Sequence, residues 1–295
     1  MKKIVMATLL TGLVSIASAQ VTISGKVSAY ADHSRTGSAT ATTQMVTEPT
    51  SNVAFGVSEK IGRDLSARGT IETSLSGNTI DGSRDTRIGD RQATVGIANK
   101  FGSVDLGRNV HSHFLAITNN DVFGTLYGSI AGDVHHLRGL RMSDAVYVSV
   151  NPAKNLSLAY EHTLNGPAAD ATVLAASAKV WRFNTTVAQF EQGREKSTVL
   201  GVNTRVRGFN LTYVHSDDQG LVKSKGDSFG VSRNFGHITA KASYGRTNRD
   251  VDAYALGADY NLSKRTALNL AYRTVDAPGV SRDVRALGLG VTHRF

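Results

Sequence analysis

The sequence predicts an all-β fold: a closed, antiparallel transmembrane β-barrel. Three observations carry that reading. First, the stretch from Arg285 to Phe295 alternates strictly. Leu287, Leu289, Val291, His293 and Phe295 fall on one face, and Gly288, Gly290, Thr292 and Arg294 on the other. That is the two-residue period of a strand, and about ten residues tilted at about 45° cross a bilayer core. Second, segments of this kind recur, about sixteen in all, joined by alternating short turns and longer connections as in a spanning barrel. Third, mean hydropathy is slightly negative, and no stretch after Gln20 is apolar for long enough to make a membrane helix. A wide barrel has that composition, because half of every strand faces water. A final strand with nothing after it must pair with the first, or its edge stays open.

The start reads as a leader. Met1-Lys2-Lys3 is basic, Ile4 to Ile16 is mostly apolar, and Ala17-Ser18-Ala19 is a small-residue cleavage site. Residues 1–19 are expected to be a secretory signal peptide and 20–295 the barrel. Cysteine is absent, so an exported chain of this size must rely on a large core or a long hydrogen-bonded ladder. There are 29 glycines and 4 prolines; proline cannot donate to a ladder, while glycine suits turns and close backbone approach. The formal charge is +9. Nucleic acid is excluded as a partner by export, and by arginines spread through strands rather than gathered on a helix. In a barrel the surplus favours anions in the interior, or acidic groups of outer-membrane lipids.

Taken in order, Val21 to Arg35 is the first strand. Thr36 to Glu48, rich in Thr, Ser, Ala and Gly, is a flexible outer connection. Thr50 to Lys60 and Leu65 to Ser76 form a hairpin about Ile61-Gly62-Arg63-Asp64. Gly77 to Arg87 is a polar connection. Ile88 to Asn99 and Ser103 to Arg108 flank Lys100-Phe101-Gly102. Asn109 to about Leu140 is long and irregular, a kind of segment that usually has a function. Hairpins then follow to the end: Arg141–Val150 with Asn155–Thr163, Ala171–Val180 with Phe183–Gln192, and Lys196–Val206 with Phe209–Ser216. Asp227–Asn234 pairs with Ile238–Arg246, and Asp252–Asn261 with Thr266–Val275. At about sixteen strands, side chains cannot fill the interior, which holds water. Tyr30, Tyr147, Tyr160, Phe190, Tyr213, Tyr244, Tyr254, Tyr260, Tyr272 and Phe295 lie towards strand ends, where interface rings belong.

Asp90-Arg91-Gln92-Ala93-Thr94-Val95-Gly96-Ile97, followed by Phe101 to Asn109, resembles a segment of the general diffusion porins of Gram-negative outer membranes, those of β-proteobacteria above all. The hairpin from Phe55 through Glu72 is similar to that family's second and third strands. Arg141 with Asp144-Ala145-Val146-Tyr147 is similar to its sixth, and the terminal aromatic strand to its assembly signal. The resemblance implies a sixteen-stranded barrel, a homotrimer, a long third loop folded into the lumen, and recognition of Phe295 by the barrel assembly machinery. The function implied is passive diffusion of small hydrophilic solutes and inorganic ions. Two departures stand out. The chain is shorter than family members usually are, and Asn52 stands where the family often has Arg, which removes one charge from the wall.

A pore selects by width and by the charges at its narrowest point. The resemblance places basic wall residues at Lys26, Arg91 and Arg141. Position counting adds Arg68, which shares a face with Ser66, Thr70 and Glu72, and Arg138 just before the sixth strand is a further candidate. Asp121, in Asp121-Val122-Phe123-Gly124, resembles the acidic loop tip opposite, with Asp133 as a second acid. The expected constriction is therefore Lys26, Arg68, Arg91, Asp121 and Arg141, with a weak anion preference. His111, His113, His135 and His136 share the long segment, but without Cys, helical i,i+4 spacing or an acidic partner set they argue against a metal site. Loop histidines of unperturbed pKa, about 6.5, would give pH-dependent conduction. No G-x-S-x-G elbow points to a hydrolase, so no enzyme and no cofactor is expected. The alternative is an adhesin or structural anchor, for which longer outer loops and a plugged interior are expected.

Overall fold

The computed structural model describes residues 19–75, 87–164, 170–220, 223–279 and 283–295. The expected leader, up to Ser18, and most of the connection over Gly77 to Arg87 lie outside the described residues. In chain order the strands begin with β1 (Gln20–Thr36), β2 (Thr42–Thr47), β3 (Asn52–Lys60), β4 (Ser66–Ser74), β5 (Gln92–Asn99) and β6 (Gly102–Val110). Two short helices follow, α1 (Ser112–Thr118) and α2 (Ala131–Val134). Then come β7 (Arg141–Ala153), β8 (Leu156–Thr163), β9 (Ala171–Val180), β10 (Phe183–Gln192), β11 (Glu195–Val206) and β12 (Phe209–Gln219). The chain ends with β13 (Ser224–Phe235), β14 (Ile238–Thr247), β15 (Asp252–Asn261), β16 (Thr266–Asp276) and β17 (Val284–Arg294).

Each strand pairs antiparallel with its sequence neighbour, and β17 returns to β1 from Lys26↔Arg294 to Thr36↔Val284. The ring is closed, so no edge is left to template another strand. Phe295 completes the seam: its N–H donates to the Gly25 carbonyl at 3.1 Å, and the Gly25 N–H donates to the Phe295 carbonyl at 3.0 Å. A Cβ on Gly25 would lie 2.6 Å from the Phe295 ring, so only glycine admits the terminal aromatic there.

The sheet has seventeen segments but sixteen staves. β2 and β3 both lie along β1, from Ala29↔Thr47 upward and from Lys26↔Asn52 downward. They are two halves of one stave, broken at Glu48-Pro49-Thr50-Ser51. The outer connection expected over Thr36 to Glu48 is thus mostly strand. Its threonines and Val46 have high β-propensity, and Pro49, which cannot donate to a ladder, falls in the break.

Strand side chains divide into two faces. Along β17, Leu287, Leu289 and Val291 are exposed, while Ala286, Gly288, Gly290 and Thr292 are covered. The exposed set continues around the ring as an apolar face, with Val95, Leu174, Leu211, Leu256 and Leu270. Tyr160, Tyr244, Tyr254, Tyr260, Tyr272 and Phe295 are exposed on this face as interface rings require. Tyr30, Tyr147 and Phe190 depart from that expectation and are buried. Tyr30 shares the face of Ser28 and Asp32, and Phe190 that of Ala188; a one-residue change of parity sends the same ring to the opposite side.

Candidate functional site

Residues 111–140 are held against the polar face of one part of the ring. His111 caps α1 by accepting from the Phe114 N–H at 3.1 Å. The Glu161 carboxylate on β8 accepts the Ser112 N–H at 3.0 and 3.1 Å, together with its hydroxyl, which suits negative charge to a helix start. Ala116 and Ile117 pack on Ala188, Val199 and Val214. Phe123, Ile130 and Val134 pack on Ala253, Ala255, Ala271 and Val275. Tyr127 stacks on Tyr30 at 5.0 Å and donates its hydroxyl to Asp32.

Glycines on this wall form the bed. A Cβ at Gly201 would meet the Ala116 carbonyl oxygen at 2.4 Å, and at Gly245 the Val134 side chain at 2.5 Å. At Gly257 and Gly288 it would meet the rings of Phe123 and Tyr127. Close approach of a second layer of backbone is what these glycines permit.

Across the ring a second wall carries charge. Arg91, just ahead of β5, donates Nε to Glu72 at 2.5 Å and Nη1 to the Pro49 carbonyl at 3.1 Å. Asn52 donates its amide to the same Glu72 oxygen. Arg108 holds the Asp90 carbonyl at 2.7 Å and the Ser143 hydroxyl. Arg141 opens β7 within electrostatic reach of Arg91, Arg108, Glu72 and Asp90, and its Nε is buried without a hydrogen-bond partner. Lys26 donates Nζ to Thr50 at 2.8 Å and senses Glu48, Glu72, Arg91 and Arg294. Lys26, Arg91 and Arg141 are therefore brought together, with Arg108 as an unforeseen fourth member. Four cations meet three carboxylates: Glu48, Glu72 and Asp90.

The remaining candidates stand elsewhere. Arg68 makes a two-pronged pair with Asp105, Nε to Oδ1 at 2.7 Å. It lies four residues along β4 from Glu72, or roughly 13 Å at strand rise. Arg138 pairs with Glu195 at 2.5 Å and Asp218 at 3.1 Å, away from Arg141. Asp133 pairs with Arg273 at 2.9 Å. Asp121 accepts the Phe123 and Thr125 N–H groups, both at 2.9 Å. Its carboxylate shapes its own turn, as Asp does locally.

The histidines correct the pH expectation. His111, His113 and His135 are fully or almost fully buried. His113 Nε2 bonds the Ser197 hydroxyl at 2.8 Å, and His135 bonds Ser216 and Ser228, both at 2.8 Å. Burial pulls His111 and His135 down to about 4 and His113 to about 3, since charge in an apolar site loses hydration. They titrate well below the range expected of free loop imidazoles. Among the described residues no group of three or more His, Asp or Glu is arranged to hold a metal ion.

Arg108 escaped the sequence reading because its partners come from other segments of the chain, at the point where the β6–β7 register shifts between Gly107 and Asn109. The extra residue of this bulge is on β7, where Asp144 has φ +50°, and Ser143 beside it meets Arg108. Gly107, at φ +123°, was the available signal.

No curated protein sequence matches the chain. Solved structures do. The anion-selective porin from Comamonas acidovorans matches with TM-score 0.80 at 19% identity, over 94% of this chain and 100% of that one. OmpF of Salmonella typhi, solved with daunomycin, matches with TM-score 0.72 at 15% identity, over 95% and 99%. OmpT of Vibrio cholerae, in a trimer form, matches with TM-score 0.68 at 11% identity, over 94% and 99%. At such identities the likeness is one of fold. The family model described as Gram-negative porin matches residues 6–294, and the chain belongs to that family, as a multi-pass β-barrel of the outer membrane.

Proposed function

We propose that the chain is a general diffusion channel: a water-filled pore for small hydrophilic solutes and inorganic ions, weakly anion-preferring and without catalytic activity. On this reading the apolar face meets lipid and the polar face lines the lumen. Residues 111–140 are the long third loop, folded inward. The observation that carries it is the unequal cover of the polar face. The docked segment rests on β8 to β17 and on Tyr30 and Asp32 of β1, while on the charged wall the side chains of Lys26, Arg91 and Arg108 bond Thr50, Glu72, the Asp90 carbonyl and Ser143 rather than the segment. An opening between them would be bounded by that wall and by the turn at Asp121. Basic groups at a narrow point favour anions, and the near balance of four cations with three carboxylates makes the preference weak. Asn52, lacking the positive charge its relatives often have there, works in the same direction.

Other parts of the proposal rest on the family. They are a homotrimer, cleavage of residues 1–19 on export, and delivery to the outer membrane through assembly machinery that reads the strand ending in Phe295. Planar-bilayer recording under a salt gradient tests the core claim. Steady conduction with a reversal potential on the anion side is expected. A barrel that conducts barely would favour a structural anchor, and a cation-side potential would overturn the preference.

A further inference from the structure

Some cations are paired at both ends of the barrel: at the end of the long connections Lys196 with Glu191 and Lys225 with Asp217, both at 2.9 Å, and at the short-turn end Arg68 with Asp105 and Lys241 with Asp259. Other cations at the short-turn end are in no ion pair. Lys60, Lys179, Arg205 and Arg294 lie on the polar face at the ends of β3, β9, β11 and β17, and none is in an ion pair among the described residues. Arg294 lies directly across from Lys26 in the ladder. Carboxylates stand at this end too: Glu59 and Asp64 beside the β3–β4 turn, and Asp105 and Asp259, which are held by Arg68 and Lys241. Like charges gathered in a concave, low-dielectric mouth raise the local concentration of counter-ions.

One part of this end is also shaped. A hollow of about 670 Å³ opens beside the β7–β8 and β9–β10 turns. Lys100, Lys154 and Lys179 line it with Asn151, Asn155 and Asn184; the Asn155 amide donates one proton to the Lys179 carbonyl at 3.1 Å and the Asn184 amide one to Asn203 at 2.8 Å, which leaves each a second proton. Lys100 stays at 5.0 Å over the Phe101 ring, a contact that leaves ammonium protons free. The volume lies in the range of small-molecule sites, about 300–1,000 Å³. Three point charges with amide donors suit a compact oxyanion of several negative charges, since charge-assisted bonds are the strong ones.

We propose that the short-turn mouth holds a binding site for small multivalent oxyanions, centred on Lys100, Lys154 and Lys179. The site faces the compartment on the short-turn side, the periplasm if the chain is oriented as outer-membrane barrels are. This goes beyond the channel reading, because it assigns a bound ligand and one side, whereas the Arg91 wall sets a preference for ions in passage.

The test uses the full-length mature protein and tripolyphosphate as probe. The chain has no cysteine, so Arg194→Cys, labelled with biotin and capped by streptavidin, reports which end faces which chamber. Block of the current is expected at tripolyphosphate concentrations at least tenfold lower from the short-turn side than from the other. The triple variant Lys100→Gln/Lys154→Gln/Lys179→Gln should abolish that difference and leave conductance in 1 M salt unchanged. Calorimetry of tripolyphosphate on the detergent-solubilised protein needs no conduction. Binding that is at least tenfold weaker in the triple variant is expected there. Equal block from both sides, or calorimetric binding unchanged in the variant, overturns the site. A protein that binds tripolyphosphate but carries no current leaves the site standing and overturns only the channel reading.

Discussion

The two walls of the barrel are built on opposite principles. From β9 to β17 the polar face is small: Gly201, Gly245, Gly257 and Gly288, with Ala188, Ala253 and Ala271, form a shallow bed on which Ile117, Phe123 and Val134 lie. From β4 to β7, with Lys26 from β1, the face is charged and bears none of that apolar packing. One wall spends its side-chain volume on holding a second layer. The other carries Arg91, Arg108 and Arg141, half-buried beside Glu72, Asp90 and backbone carbonyls. A ring with both walls of the first kind would be plugged, and one with both of the second kind would have nothing to narrow it. The contrast can be broken from either side.

Acid should break the bed most strongly. His111, His113 and His135 are neutral when docked, with pKa values of about 4, 3 and 4, and near 6.5 when released. A base whose folded pKa is depressed contributes its full stability above the released value and loses it as pH falls. The loss is about 1.4 kcal/mol per histidine per pH unit below about 6.5, or about 6 kcal/mol for the three by pH 5. A charged His113 would also sit beside Arg138. Conductance noise, and protease cleavage within residues 111–140, are expected to rise between pH 6 and pH 4.5. A variant with glutamine at the three positions should lose that dependence. Flat behaviour of the native chain across this window would refute the pinning role.

Phe123→Ala attacks the same bed without touching charge. Phe123 is 3% exposed against Ala253, Ala255 and Ala271, and truncating such a ring costs about 3–5 kcal/mol. Because the barrel ladder does not depend on it, the cost should fall on docking. Single-channel conductance should increase while thermal unfolding of the barrel stays put. A lowered unfolding temperature with unchanged conductance would mean the ring supports the barrel instead.

Neutralising the charged wall is a gentler change. Arg91→Gln with Arg141→Gln should move the reversal potential towards cations. A screened charge across a wet opening contributes about 0.5 kcal/mol, so the anion-to-cation permeability ratio should fall roughly twofold per site. No movement would take the selectivity away from this wall.

The ring itself was legible because two-residue alternation is a local property that survives in every strand. The strands from Ala171 to Gln192 and from Asp252 to Asn261 have the bounds the alternation implies. The join between first and last strand was legible for a different reason, the cost of an open edge. What alternation cannot show is anything that interrupts it. The break at Pro49 hid β2, and the bulge on β7 hid the meeting of Ser143 with Arg108. Pairings across the interior are also invisible locally: nothing near Arg138 announces Asp218, 80 residues away. The glycine bed was present in the composition, yet its meaning needed the loop that lies on it.

Arg68 sharpens the comparison from the quiet side. It lies on the polar face of the charged wall, as position counting implied, but its guanidinium is bound at two points by Asp105. Asp105 fits there because Gly96, opposite it, has no side chain; a Cβ would lie 2.3 Å from its carboxylate oxygen. An ion passing this pair meets a dipole rather than a charge, and the field of a dipole falls faster with distance than that of an ion. Arg68→Gln alone would expose Asp105 and move selectivity towards cations. Arg68→Gln with Asp105→Asn removes both charges and should leave the reversal potential where it was, a smaller change than either single substitution gives. If the double variant instead shifts selectivity as far as Arg91→Gln does, the pair is not compensated in the working channel, and the charged wall extends further down β4 than its hydrogen bonds imply.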